Sequence, residues 1–320
     1  MGGASRAWPR NMPLHLNSPP SADERQSAHW PSDAAKLTRR SFLALCIAGC
    51  SQIRRPARQG RHEDTWALIS DTHISSSLDW TIRGSCMATN LQRVIDDVVS
   101  ASPDHVLFNG DLAFAKGEHG DYGVFRDLIT PLQDRGTPLH LTLGNHDHRA
   151  RLVESLGQTA DTALTDKVVS ALSVGGVRWL LLDSLERVDG IRGSLGPEQR
   201  AWLSRQLNSN AAPAIVCVHH NPEPSFVGLR DFEEFLRIVL PRRHVKLVLF
   251  GHTHRFRVWQ TDGLHFVNLP AVGFWFNPRA SLGWVLARVG QGGMRLELRG
   301  VSSREQDHGA TRDLAWRSDR

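Results

Sequence analysis

Short apolar runs rich in Val, Ile and Leu recur along the chain at 65–70, 105–109, 139–143, 168–174, 177–183, 214–218 and 245–250. Runs of this length, bounded by turn residues, predict strands, several of them buried on both faces. Helical periodicity fills several of the gaps. Met87, Leu91, Val94, Ile95, Val98 and Val99 fall on one face, and Tyr122, Phe125, Leu128 and Ile129 repeat the pattern up to Pro131, where the helix is predicted to end. Pro197 opens a third helix that buries Trp202, Leu203 and Leu207, and Phe232, Phe235, Leu236 and Val239 mark a fourth. The C-terminal third changes character. Segments 257–260 and 264–269 flank Thr261-Asp262-Gly263, a hairpin signal, and 284–289 and 294–299 flank a glycine-rich turn. Gly175-Gly176 joins two further strands. Strand–helix units with added antiparallel hairpins predict an α/β fold in which two sheets pack together with helices outside. One domain is expected over 62–301, followed by a charged, frayed tail at 302–320.

Composition alters this picture mainly at the N-terminus. The chain has 320 residues, 40% of them hydrophobic, enough for one large core. Its formal charge of +5 suggests an anionic partner, but residues 1–61 hold 10 basic and 3 acidic residues, leaving 28 and 30 in the remainder. The body is therefore close to neutral, and nucleic acid is not expected as its partner. Residues 1–37 are polar and proline-rich and are expected to be disordered. Thr38-Arg39-Arg40-Ser41-Phe42-Leu43 and the short apolar run after it resemble a twin-arginine export signal. Ile47-Ala48-Gly49-Cys50 resembles a lipobox, which implies a lipid anchor on Cys50 and a location in the periplasm or cell envelope. The alternative is a cytoplasmic protein. Cys46, Cys50, Cys86 and Cys217 show no disulfide-framework spacing.

The chemistry lies at the ends of the apolar runs. Residues 65–70 lead into Asp71-Thr72-His73, and 105–109 into Gly110-Asp111. Residues 139–143 lead into Gly144-Asn145-His146-Asp147, 214–218 into His219-His220-Asn221-Pro222, and 245–250 into Gly251-His252-Thr253-His254. Any one of these reads as a turn or a helix cap. Five together place Asp, His and Asn beyond the carboxyl ends of buried strands, where α/β proteins collect ligands, and clustered imidazoles and carboxylates signal a metal site.

This pattern resembles the calcineurin-like metallophosphoesterase family over residues from about Trp66 to about Gly273. The resemblance implies a four-layer α/β/β/α sandwich. It also implies one metal held by Asp71, His73 and His254, a second held by Asn145, His219 and His252, and Asp111 bridging them. Carboxylate and imidazole donors suit two Mn, Fe or Zn ions. Such a pair clamps a phosphate and lowers the pKa of bound water. His146 is expected to serve the leaving group as general acid, with Asp147 orienting its imidazole. His220 is an alternative to His219 as ligand. Three further stretches, Ile69–His73, Asn90-Leu91 through Gly110-Asp111-Leu112, and Gly193–Leu207, are similar to the class III cyclic nucleotide phosphodiesterase branch. The purple acid phosphatase branch carries a Tyr where this chain has Phe114, so a tyrosinate-ligated ferric iron is not expected. The substrate is expected to be a small phosphomonoester or phosphodiester. A metal-binding scaffold without catalysis, or a nuclease, are the readings from other classes. Trp80, Phe274, Trp275 and Phe276 are open to two readings, stacking on substrate or packing beneath the site.

Overall fold

The structure, a computed structural model, describes residues 63–157, 164–302 and 304–319. The export signal and Cys50 lie outside the described residues. In chain order the elements are β1 (Asp64–Ile69), β2 (Thr81–Ile82), β3 (Ser85–Cys86), α1 (Met87–Ala101), β4 (His105–Asn109), α2 (His119–Asp134), β5 (Leu139–Thr142) and α3 (Arg149–Leu156). Then follow β6 (Ser170–Val174), β7 (Val177–Leu181), α4 (Gly196–Ser209), β8 (Ala214–Cys217), α5 (Phe232–Val239), β9 (Val245–Phe250), β10 (Arg257–Thr261) and β11 (Leu264–Asn268). The chain closes with β12 (Gly283–Gly290), β13 (Gly293–Gly300) and β14 (Thr311–Ala315).

Two six-stranded mixed sheets result. The first has the order β14-β13-β12-β1-β4-β5 and the second β10-β11-β9-β8-β7-β6. Strands β1, β4 and β5 run parallel, as do β7, β8, β9 and β11. The period-two alternation of a strand sends successive side chains to different layers. Along β1, Trp66 and Leu68 join the core between the sheets, whereas Ala67 and Ile69 join the core beneath α1 and α2. Trp179 and Leu181 of β7 do the same on the second sheet, while Leu180 packs with Trp202 of α4 and Phe235 of α5. Three apolar layers separate four structural layers, the expected sandwich. Both faces of the central strands are buried, which is why their sequences read as unbroken apolar runs rather than alternating ones.

Three expectations need correction. Helix α2 continues past Pro131 to Asp134. The bond lost to proline falls on the face where Asp127 is exposed, and buried Leu132 holds the last turn. Helix α3 was not foreseen because it buries only Leu152 and so carries no amphipathic signal. The tail is not frayed throughout. β14 pairs with β13, and Arg317 beyond it is buried, donating to the carbonyls of Val239, Leu240, Arg242, Val245 and Asp262. An edge strand, Thr-Arg-Asp-Leu-Ala, whose one buried side chain is Leu314 gives periodicity nothing to detect. Cys86 and Cys217 are both free thiols.

Candidate metal centre

Beyond their last paired residues, β1 and β4 continue side by side as an irregular ladder. Asp71 N donates to Gly110 O, His73 N to Asp111 O, and Ile74 N to Leu112 O. That pairing brings Asp71 and Asp111 together at the mouth of the first sheet. From the second sheet, Gly251 N donates to His219 O, which joins the ends of β8 and β9. The His252 amide lies 3.2 and 3.1 Å from the two carboxylate oxygens of Asp71 and ties the sheets to each other. Asp71, His73, Asp111, His252 and His254 all have positive φ, between 49° and 69°. L-residues carrying a Cβ pay for that backbone region, and such residues gather where function over-determines them.

All seven residues expected to ligate metal are buried. His73 Nε2 lies 3.1 Å from His254 Nε2 and 3.7 Å from Asp111 Oδ2. His254 Nε2 lies 3.4 Å from Asp71 Oδ1, and His219 Nε2 lies 3.2 Å from Asp111 Oδ2. Ligand atoms gather within reach of a shared ion in three overlapping groups: Asp71, His73 and His254; Asp111, His219 and His252; and His73, Asp111 and His146. Asp111 shares one group with His219 and another with His73, as a bridging position requires.

The imidazoles are oriented from behind. His219 Nδ1 is 2.8 Å from Asn109 O, and His254 Nδ1 is 2.6 Å from Phe274 O. A ring that donates Nδ1–H to a carbonyl presents a lone pair at Nε2, as a metal ligand must. Asn145 Oδ1 is buried without a hydrogen-bond partner. A buried orphaned acceptor is costly unless something satisfies it, and a cation would do so here. The donor set therefore fits two metal ions.

Electrostatics agree with that fit. Burial opposes charge on Asp71, yet His219 and His254 hold its carboxyl at about 2. Burial likewise opposes charge on Asp111, and His219 and His146 hold it well below the ordinary range. Burial disfavours protonation of His219, but Asp111 and Asp71 push it up to about 10. His73 falls to about 3 and His252 to about 4, mainly through burial. Two ionised carboxylates are thus kept in a dry crevice by the imidazoles facing them.

His146 stands at the edge, beside this set. Its Nδ1 is 2.8 Å from Ala115 O and 3.5 Å from Asp189 Oδ1, and its ring meets that of His73 edge-on. Asp147 does not orient it. The Asp147 carboxylate accepts from the amides of Leu112, Ala113 and Gly144 and from the Tyr122 hydroxyl, stitching the loops after β4 and β5 together. Asp147 also closes the turn after β5, its amide donating to Gly144 O at 3.4 Å. The carboxylate beside His146 belongs instead to Asp189, whose amide also donates to Asn145 O. Asp189 lies in the loop after β7, a sixth strand end whose Glu-Arg-Val-Asp-Gly sequence gave no metal-type signal. His220 lies behind the centre. Its Nδ1 contacts Ser184 Oγ at 2.7 Å and its ring packs on His252.

A family model for calcineurin-like phosphoesterases matches residues 65–256. A protein of Synechococcus sp. named as a probable cyclic nucleotide phosphodiesterase is 30% identical over 228 residues, covering 68% of this chain and 84% of that protein. The 3′,5′-cyclic adenosine monophosphate phosphodiesterase CpdA of Pseudomonas aeruginosa is 28% identical over 223 residues, covering 67% of this chain and 78% of its own. Among solved structures, a dimetal phosphatase from Danio rerio superposes with a TM-score of 0.63 at 15% identity, covering 80% of this chain and 99% of that one. A purple acid phosphatase from yellow lupin gives 0.57, also at 15% identity, over 80% of this chain and 54% of that one. These last two likenesses concern the fold.

Proposed function

We propose that this chain, which belongs to the calcineurin-like phosphoesterase family and is a metal-dependent phosphoesterase, hydrolyses 3′,5′-cyclic nucleotides at a two-metal centre. The observation that carries the substrate class is the similarity to cyclic nucleotide phosphodiesterases over two thirds of the chain. Asp71, His73 and His254 would hold one ion, Asn145, His219 and His252 the other, and Asp111 both. When bound, Mn, Fe or Zn ions would supply Lewis acidity toward phosphate and water.

The chain's own groups do the rest. Carbonyls of Asn109 and Phe274 fix the ligand imidazoles before substrate arrives, so little reorganisation is needed during the reaction. His146 is anchored at Nδ1 by Ala115 O, which leaves Nε2 to serve the departing oxygen. Asp189 beside Nδ1 forms an ion pair with the ring when it is protonated. The test is turnover of 3′,5′-cyclic AMP against p-nitrophenyl phosphate and bis-p-nitrophenyl phosphate, with Mn, Fe or Zn supplied. Preference for the cyclic nucleotide is expected. Hydrolysis of the generic esters with none of the cyclic nucleotide would overturn the substrate reading and leave the phosphoesterase assignment intact.

A second reading concerns the address of the protein. Thr38-Arg39-Arg40 would direct export and Cys50 would carry lipid, on the strength of their order and spacing. Among the described residues no helix is long and apolar enough to cross a membrane. Replacing Arg39 and Arg40 by Lys is expected to leave the precursor inside the cell, and Cys50→Ser to abolish acylation. A cytosolic protein whose N-terminus is Met1 would overturn both.

A further inference from the structure

We infer that Phe276 and Arg83 form a specificity subsite at the lip of the metal centre that receives a planar aromatic substituent of the ester. The inference rests on the phosphodiesterase reading and supplies the recognition element that reading lacks. Phe274 and Phe276 lie two apart in the segment after β11, and their fates differ. Phe274 is buried, packs on His73 and His254, and lends its carbonyl to His254 Nδ1. Phe276 stacks on His254 at 4.2 Å between centroids yet is 53% exposed. An exposed ring held against a buried ligand imidazole is a surface on which a planar group can stack within reach of the metal centre.

Arg83 supplies the second half. It sits with Gly84 at the tip of the β2–β3 hairpin, where both residues have positive φ, 53° and 78°. A two-residue turn of this kind is rigid, and it normally favours Asn or Gly rather than Arg. The Arg83 guanidinium donates to Phe276 O at 2.8 Å, and its carbon lies 5.8 Å from the Phe276 ring centre. Hairpin tip and aromatic segment are thereby clamped together, with an exposed cation beside an exposed ring, one ring's breadth from His254. Planar groups bind such surfaces by stacking and cation–π attraction, an effect of similar size for every base because each has a π-face. An aliphatic ester would gain far less from either residue.

The test uses the metal-loaded full chain and two phosphomonoesters that differ in the ring, 5′-AMP and glycerol 3-phosphate, each as a competitive inhibitor of p-nitrophenyl phosphate hydrolysis. Unmodified protein is expected to bind AMP about tenfold more tightly. Phe276→Leu, which keeps apolar bulk and removes the ring, should cut that preference to near unity. Arg83→Gln should reduce it several-fold. Glycerol 3-phosphate affinity and bound metal should stay unchanged in both. No preference in the unmodified protein, equal losses for both ligands, or full preference retained in Phe276→Leu would each overturn the subsite. A ring preference in a protein that does not cleave cyclic AMP would sink the substrate reading and leave the subsite standing.

Discussion

The two sheets meet at one crevice and bring different chemistry to it. The first sheet supplies the oxygen donors Asp71, Asp111 and Asn145 and one imidazole, His73, whereas the second supplies only the imidazoles His219, His252 and His254. Neither half is self-sufficient. Two buried carboxylates alone would protonate, and buried histidines alone would stay neutral. Facing each other, they hold Asp71 at about 2 and His219 at about 10. Asp121 of α2 and Asp147 of the loop after β5 show the contrast. Burial raises both to about 6, because no imidazole of the second sheet faces them.

Removing an oxygen that both halves share should have the largest effect. Asp111→Asn is expected to lose both ions and at least about 10²-fold in turnover. His219→Ala should release one ion and keep the other, as metal analysis of the two variants will show. Equal stoichiometry in both would break the asymmetry between the sheets.

Two glycines provide a matched pair. A Cβ on Gly144 would lie 2.6 Å from Asp111 Cγ, and one on Gly251 would lie 2.6 Å from Asp71 Oδ2. Both alanine variants are expected to weaken metal binding about tenfold or more while keeping the native far-ultraviolet circular dichroism, since the first meets Asp111 itself and the second meets Asp71 and the Ser70 hydroxyl that donates to it. Titration with Mn or Zn checks this.

His146→Ala leaves the ligand sets of both sheets intact. Turnover should fall about 10²-fold on alkyl esters and much less on p-nitrophenyl esters, with both ions retained. Equal losses on the two substrate types would exclude a role at the leaving group.

Away from the crevice, Arg317 fastens the end of the first sheet's edge strand to α5 and β9 of the second. Arg317→Met should lower stability by about 1–3 kcal/mol, the cost of orphaning buried carbonyls, and leave KM unchanged. Thermal denaturation beside steady-state kinetics decides this.

The smallest effect is a pH dependence of opposite sign in the two kinds of carboxylate. Asp71 is depressed from 3.8, so its contribution to stability is complete above that value and is lost as pH falls toward 2. Asp121 is raised from 3.8 to about 6, so its contribution is present below 3.8 and is lost as pH rises through 6. Asp121→Asn should flatten the melting-temperature profile between about pH 4 and 6 and leave its acid limb unchanged.

The central strands of both sheets were legible because burial on two faces writes an unbroken apolar run, and the ligands because each follows such a run directly. Asp147 and Asp189 mark the limit of that legibility. Asp147 is adjacent to His146 in sequence and serves the loop backbone, while Asp189 lies more than forty residues away and comes within 3.5 Å of the ring. Edge strand β14 and helix α3 leave no such run in the sequence, since each buries a single side chain.

Chain order and residue type were sufficient for the layer architecture, the strand ends and the kinds of donor atom, because these depend on local periodicity and on intrinsic chemistry. Which carboxylate lies beside His146, which histidine of the 219–220 pair enters the centre, and which aromatic of the 274–276 segment stays exposed were decided by tertiary structure. Those choices depend on the direction in which a side chain leaves a turn and on what the other sheet places opposite it. Neither is encoded in the spacing of residues along a single strand.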